Sequence, residues 1–223
     1  MTSEIARDLS HLASNGFCTM LADVPWQFDN RTGKVAPEHR RLRRYRTMTL
    51  DEICALPVPR IMAPTAHLYL WVPNALLPDG LRAMAAWGFT YKTNIVWHKI
   101  RKDGGSDGRG VGFYFRNVTE LLLFGVKGSN TRTLDPGRTQ VNIIETRKRE
   151  HSRKPDEVYP IIEACSPGPF IELFARASEQ AGLFPCRRQQ WTRLGDEAES
   201  ELADQQKLAR FDEQEEFDDG GAP

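Results

Sequence analysis

Six short apolar runs limit what this chain can fold into. They are "FCTMLA" (17–22), "AHLYLWV" (66–72), "YKTNIVWHK" (91–99), "TELLLFGV" (119–126), "TQVNIIET" (139–146) and "PFIELFA" (169–175). Rich in β-branched and aromatic residues, they read as strands. Helical segments lie between them. "TLDEICAL" (49–56) opens on Thr49 as N-cap with Glu52 three residues on, a capping box. "LPDGLRAMAAWGF" (77–89) and "KPDEVYPIIEACS" (154–166) are the other helices expected. Pro160 removes a backbone donor, so the last of these is kinked there or begins later than Pro155 suggests. Near-continuous apolar strands alternating with helices imply a doubly wound α/β architecture, a central mostly parallel sheet flanked by helices on both faces.

Two segments depart from this rhythm. Residues 29–47 carry seven Arg or Lys side chains outside any apolar period, and residues 101–117 hold five glycines. Loops of this length inside a compact domain serve function or stay disordered. Charge divides along the chain as well. Residues 196–223 hold 11 acids against Lys207 and Arg210, which leaves 28 basic and 19 acidic side chains in residues 1–195. A basic body suits a polyanionic partner. The acidic tail, dissolving into "DEQEEFDDGGAP", is expected to be disordered.

The four cysteines are far apart and form no C-x-x-C pair, which speaks against a structural zinc site and a disulfide framework. No apolar run reaches membrane-spanning length, and the N-terminus lacks the order of a secretory signal. A cytoplasmic protein with reduced thiols, no metal and no membrane contact is expected. No G-x-G-x-x-G opens a helix, so ordinary dinucleotide binding is not supported.

In open α/β sheets ligands bind at the carboxyl ends of strands. "ADVPW" occupies such an end if "FCTMLA" is a central strand. An exocyclic aromatic amine is a poor nucleophile because its lone pair is delocalised into the ring. A carboxylate and a backbone carbonyl accepting its two hydrogens favour the tetrahedral geometry that frees the pair, and they stabilise the positive charge as it develops. An aromatic face beside them stacks the base, and a proline stiffens the turn. By itself, such a tetrapeptide is more often a plain strand exit.

"ADVPW", "RYRTMTLDEICALP", "HLYLWVPNALLPDGL", "RNVTELLLFGVKG", "EHSRKPDEVYPIIEACSPGPFIELFAR" and "WTRLGDE" occur in this order, and together they resemble the MT-A70 family of S-adenosylmethionine-dependent adenine-N6 methyltransferases. The resemblance runs from about Leu21 to Glu197 and is nearest to single-domain bacterial and phage-type members. It implies a Rossmann-like methyltransferase domain over 1–197, followed by the tail 198–223. Asp23 and the Val24 carbonyl would accept from the adenine amine, Pro25 would set the turn, and Trp26 would offer the stacking face. Val24 stands where the family usually has proline. Tyr45, Asn117, Glu120, Arg43 and Arg44 would face the substrate. Lys154, Phe174, Arg176, Asp196 and Glu197 would face the cofactor, with Leu194 and Asp196 departing from the family's W-G-N ending.

The activity implied is methylation of adenine in nucleic acid, DNA before RNA, with single and double strands both open. If the target is duplex, its adenine must be flipped out of the stack, and a short or loose sequence preference would be read by the two long loops. The rival from another class is a catalytically inactive nucleic-acid-binding scaffold of the same fold. Homodimer and heterodimer both stay open. For Trp71, Trp87, Trp97 and Trp191 core packing is the expected role, and for His98 and His151 a surface or hydrogen-bonded one. Glu172 is placed evenly between a structural and a cofactor-side role.

Overall fold

The computed structural model describes residues 2–12, 16–28, 47–107, 114–147, 153–175 and 191–195, without the side chains of residues 2–4 and Pro136. Tyr45, Arg43, Arg44, His151, Arg176, Asp196, Glu197 and the acidic tail lie outside the described residues.

In chain order the elements are α1 (Thr2–His11), β1 (Phe17–Ala22), α2 (Leu50–Cys54), α3 (Val58–Ile61), β2 (Met62–Val72), α4 (Leu77–Ala86), β3 (Thr90–Ile100), β4 (Thr119–Lys127), β5 (Ile143–Arg147), α5 (Val158–Cys165), β6 (Phe170–Leu173) and β7 (Trp191–Leu194). Short 3-10 turns cover Asn74–Leu76 and Asp135–Thr139. Seven strands make one sheet in the order β5-β3-β4-β2-β1-β6-β7. The pairs β1–β2, β1–β6, β3–β5 and β6–β7 are parallel, while β4 is antiparallel to both β2 and β3. Among the described strands β4 alone is reversed, so the expectation of a mostly parallel sheet holds. The reversal follows from the connection. A parallel neighbour needs a crossover, usually a helix, whereas the glycine-rich stretch after β3 simply turns the chain back beside it.

Both faces are covered, as expected of a doubly wound sheet. Met20, Ala22, Leu68, Leu70, Val72 and Leu123 pack against Ile5, Leu9, Ile53, Val58, Ile61, Ala83 and Met84 from α1 to α4. On the other face Leu21, Tyr69, Trp71, Trp97 and Leu122 meet Val158 and Ile162 of α5, with Trp191 of β7. Trp71, Trp87, Trp97 and Trp191 are all buried, the core role expected of them.

Local chemistry sets the helix ends. Thr49 Oγ1 accepts from the Glu52 N–H (3.3 Å), and Glu52 Oε2 accepts from the Thr49 N–H (2.8 Å), the anticipated capping box. Pro160 is the third residue of α5. A first-turn N–H has no intrahelical acceptor, so the missing donor costs no helical bond, and the later of the two expected starts is the observed one. The sequence reading had no helix at α1. Ile5 and Leu9, four residues apart, are 3% and 0% exposed. Each contributes about 1.5–3 kcal/mol by burial, and this docking holds a helix too short to persist alone. The strand expected at 139–146 begins instead at Ile143, because Pro136 and Gly137 belong to a 3-10 turn. Among the described residues no helix is long and apolar enough to cross a membrane.

Candidate functional site

The carboxyl ends of the parallel strands converge on one edge of the sheet, and the reversed β4 brings its amino end to the same edge. That geometry joins residues far apart in sequence. Asp23 follows β1, Lys154 precedes α5, Glu120 is the second residue of β4, and Lys99 is the penultimate residue of β3.

Their charged atoms form a chain. Lys154 Nζ lies 3.0 Å from Asp23 Oδ1 and 2.6 Å from Glu120 Oε1. Lys99 Nζ donates to Glu120 Oε2 at 2.9 Å. Two cations and two carboxylates therefore alternate, with net charge near zero. All four side chains are largely enclosed, at 13–22% of full exposure. The flat faces of two tryptophans support the lysines: Lys154 Nζ is 5.5 Å from the Trp71 ring centroid and Lys99 Nζ 4.6 Å from that of Trp97.

Burial pushes the Glu120 carboxyl up, but Lys154 and then Lys99 outweigh it and bring the group down to about 2. Burial likewise pushes the Lys154 ammonium down, and Asp23 and Glu120 outweigh it, leaving its pKa raised. The ordinary carboxylate range lies near 4.5 and the ordinary lysine value near 10.5. Between them Lys154 and Glu120 stay ionised.

The turn carrying Asp23 is fixed by main-chain bonds. The Asp23 N–H donates to the Leu173 carbonyl (3.3 Å), the Trp26 N–H to the Val24 carbonyl (2.8 Å) and the Met48 N–H to the Pro25 carbonyl (2.8 Å). The bond from Trp26 to Val24 closes a tight turn centred on Pro25, whose ring pre-sets φ. It uses one lone pair of the Val24 carbonyl and leaves the other. The Val24 side chain is 2% exposed and belongs to the core. Valine is thus accommodated as an apolar filler, and its carbonyl stays part of the turn.

Trp26 is anchored in the core. The indole is 7% exposed in the core cluster, and its Nε1–H donates to the Trp71 carbonyl at 2.9 Å. A buried indole needs a partner for its N–H, and satisfying it turns the ring into a strut between β1 and β2.

Phe174, just after β6, is 9% exposed and adopts φ 60°, the left-handed region that non-glycine residues avoid. The next residue bonds across to the end of β7, with the Ala175 N–H donating to the Leu194 carbonyl at 2.9 Å. Gly195 follows directly, and a Cβ there would lie 2.7 Å from the Ala175 nitrogen and closer still to its carbonyl oxygen. The carboxyl ends of β6 and β7 thus lie tightly against each other beside Asp23. Glu172 accepts from the Tyr159 hydroxyl (2.8 Å) and lies 3.4 Å from Arg193.

Asn117 Oδ1 accepts from Asn74 Nδ2 at 2.6 Å, and Asn74 also donates to Thr119 Oγ1 at 2.9 Å. Asn117 is exposed on the rim, not enclosed with Glu120. His98 bonds Glu145 (2.8 Å) and Ser106 (2.9 Å), the hydrogen-bonded role expected. Sequence reasoning missed Lys99 and Asn74. For Lys99 half of a signal existed: it lies two residues beyond Trp97 on the same face of a strand end, but that Trp97 pairs with Glu120 is visible only in the sheet.

A family model described as MT-A70 matches residues 17–197. The human N(6)-adenosine-methyltransferase catalytic subunit METTL3 is 30% identical over 198 residues, which cover 87% of this chain and 30% of that protein. The Danio rerio METTL3 subunit is 31% identical over the same shares. The type II methyltransferase M.MunI of a Mycoplasma species is 30% identical over 173 residues, 70% of each chain. The chain therefore spans only 30% of the length of the METTL3 relatives it matches.

Proposed function

The chain belongs to the MT-A70 family, and on that premise we propose that it is an S-adenosylmethionine-dependent adenine-N6 methyltransferase acting on nucleic acid, DNA before RNA. The observation that carries the proposal is the Asp23 carboxylate, held 3.0 Å from Lys154 at the carboxyl end of a central strand, one residue from a proline-stiffened turn.

In this mechanism Asp23 and the free lone pair of the Val24 carbonyl accept the two hydrogens of the adenine amine. They draw its lone pair out of conjugation and stabilise the growing positive charge. Lys154 fixes the orientation of Asp23, so no reorganisation is needed as charge develops. The turn bonds at Pro25 and Trp26 keep carboxylate and carbonyl at a constant separation. After transfer the methylated amine is a strong acid and yields its proton to Asp23 or to water. The donor set fits the cofactor: cation and carboxylate side by side suit a molecule that joins an amino-acid zwitterion to a sulfonium. Lys154 and Phe174 would hold it, together with Arg176, Asp196 and Glu197. When bound, S-adenosylmethionine supplies an electrophilic methyl group.

The preference for DNA rests on M.MunI, named a type II methyltransferase and matched along 70% of both chains. The reading as RNA adenosine methylation draws on METTL3, matched along 30% of its length. The test uses labelled S-adenosylmethionine with adenine-containing single-stranded DNA, duplex DNA and RNA. Transfer to DNA at the higher kcat/KM supports the reading, transfer to RNA alone replaces the substrate, and no transfer to any of them refutes the enzyme. Asp23→Ala should lower kcat by at least about 10²–10³-fold while calorimetric affinity for the cofactor is kept. Full activity in that variant removes Asp23 from the chemistry.

A further inference from the structure

We propose that Lys99 is a positioning residue for methyl transfer, acting on Asp23 through Glu120 and Lys154; the inference rests on the function proposed above. Lys99 does not itself touch Asp23. Its Nζ takes one oxygen of Glu120 at 2.9 Å, while the other oxygen of the same carboxylate lies 2.6 Å from Lys154. Lys154 in turn reaches Asp23 at 3.0 Å.

A carboxylate with two free oxygens draws a neighbouring ammonium between them. If Oε2 of Glu120 were vacant, the carboxylate could rotate to present both oxygens to Lys154. That ammonium, carried on four flexible methylenes, would then be shared between two carboxylates with no second cation to balance them. Lys99 prevents this. By occupying Oε2 it restricts Glu120 to a single contact with Lys154 and offsets part of its charge, so that Lys154 keeps its second contact, with Asp23. The arrangement is built to stay in place: Lys99 Nζ sits 4.6 Å above the Trp97 ring, and its side chain is 22% exposed. Lys99 also lies where β3 and β4 are still paired, since its N–H donates to the Val118 carbonyl at 2.9 Å. Its position relative to Glu120 is therefore set by sheet register rather than by a loop.

The competing role for a lysine on this edge is contact with a substrate phosphate, and the two roles give different kinetics. A positioning residue alters kcat and leaves both KM values alone, whereas a phosphate contact alters the nucleic-acid KM and lowers its salt dependence. The experiment compares the full chain with Lys99→Met, Lys99→Arg, Glu120→Gln and the double variant Lys99→Met/Glu120→Gln. It measures kcat, both KM values and their salt dependence on the best oligonucleotide substrate. In Lys99→Met kcat is expected to fall about tenfold or more with each KM within about threefold, and Lys99→Arg is expected to recover most of the loss. In the double variant the two losses are expected not to multiply, because both substitutions break the same chain. If Lys99→Met does not fold, Lys99→Gln takes its place. The inference is overturned by an unchanged kcat, by a loss confined to the nucleic-acid KM, or by losses that multiply in the double variant. No transfer by the unsubstituted protein refutes the methyltransferase reading beneath it instead.

Discussion

Lys154→Met removes the cation shared by Asp23 and Glu120, and the structure gives the size and pH dependence of the effect. Glu120 is held at about 2 against an ordinary 4.5, a displacement equivalent to about 3 kcal/mol. Lys154 is the larger and Lys99 the smaller of its two lowering influences. Removing one partner from a fully buried ion pair costs about 3–5 kcal/mol, but these side chains keep 13–21% exposure, which argues for the lower end. A loss of about 2–3 kcal/mol at pH 7 follows, seen as a fall in Tm of about 5–10 °C for a chain of this size. A depressed carboxyl contributes stability above its unfolded pKa and loses it as pH falls through the folded one. In the unsubstituted protein that loss therefore runs from about pH 4.5 down to 2. The variant has lost much of this contribution, so its stability should fall less on acidification and the gap between the two proteins should close below about pH 4.5. Denaturant titrations from pH 3 to 8 measure it. A gap of constant size across that range would show that packing, not charge, is what Lys154 contributes, and would refute the electrostatic account of the site.

Two further outcomes are expected. His67 is 0% exposed and burial lowers its pKa, so unfolding releases a ring that takes up protons more readily. Stability should drop as pH falls below about 6.5, by up to about 1.4 kcal/mol per pH unit. His67→Gln, which can keep a bond to Ser166, should flatten that slope in denaturant titrations at pH 5 to 8, and an unaltered slope assigns it elsewhere. Gly195→Ala forces a Cβ within 2.7 Å of the Ala175 nitrogen, a strain of about 1–3 kcal/mol that pushes the β6 and β7 ends apart. Calorimetry should record S-adenosylmethionine binding weakened by about tenfold or more, and an unchanged Kd removes those strand ends from the cofactor site.

The sequence disclosed those parts of the fold that leave a periodic or local mark. β1 was legible at its observed bounds because all its apolar side chains face core on one side or the other. The Thr49 cap was legible because its partner is three residues away. α1 and β7 were not: α1 shows two core anchors in ten residues, and β7 reads Trp-Thr-Arg-Leu, half of it polar. Asp23, Lys154 and Glu120 were each singled out, yet only the sheet order could reveal that Lys154 bridges the two carboxylates. Lys154 and Glu120 were assigned to cofactor and substrate, whereas their nearest partners are one another and Asp23. Lys99 stayed hidden because its contact is a diagonal across β3 and β4, and register is set by pairing that no single strand's pattern contains. The anchoring of Trp26 was hidden for a related reason: the carbonyl that accepts its N–H belongs to Trp71, on a strand beginning 36 residues later in the chain.

The reversal of β4 also makes the site modular. Lys99 and Glu120 are the two feet of a single hairpin, each secured in the sheet before the chain departs toward its tip. Residues between them can be lengthened, shortened or exchanged while both anchors keep their register. A change of loop length would then leave the lysine and the carboxylate where they are. The charge chain and the connection that separates its two ends along the sequence are independent parts of the structure, because strand pairing and not the loop sets the distance between Lys99 and Glu120.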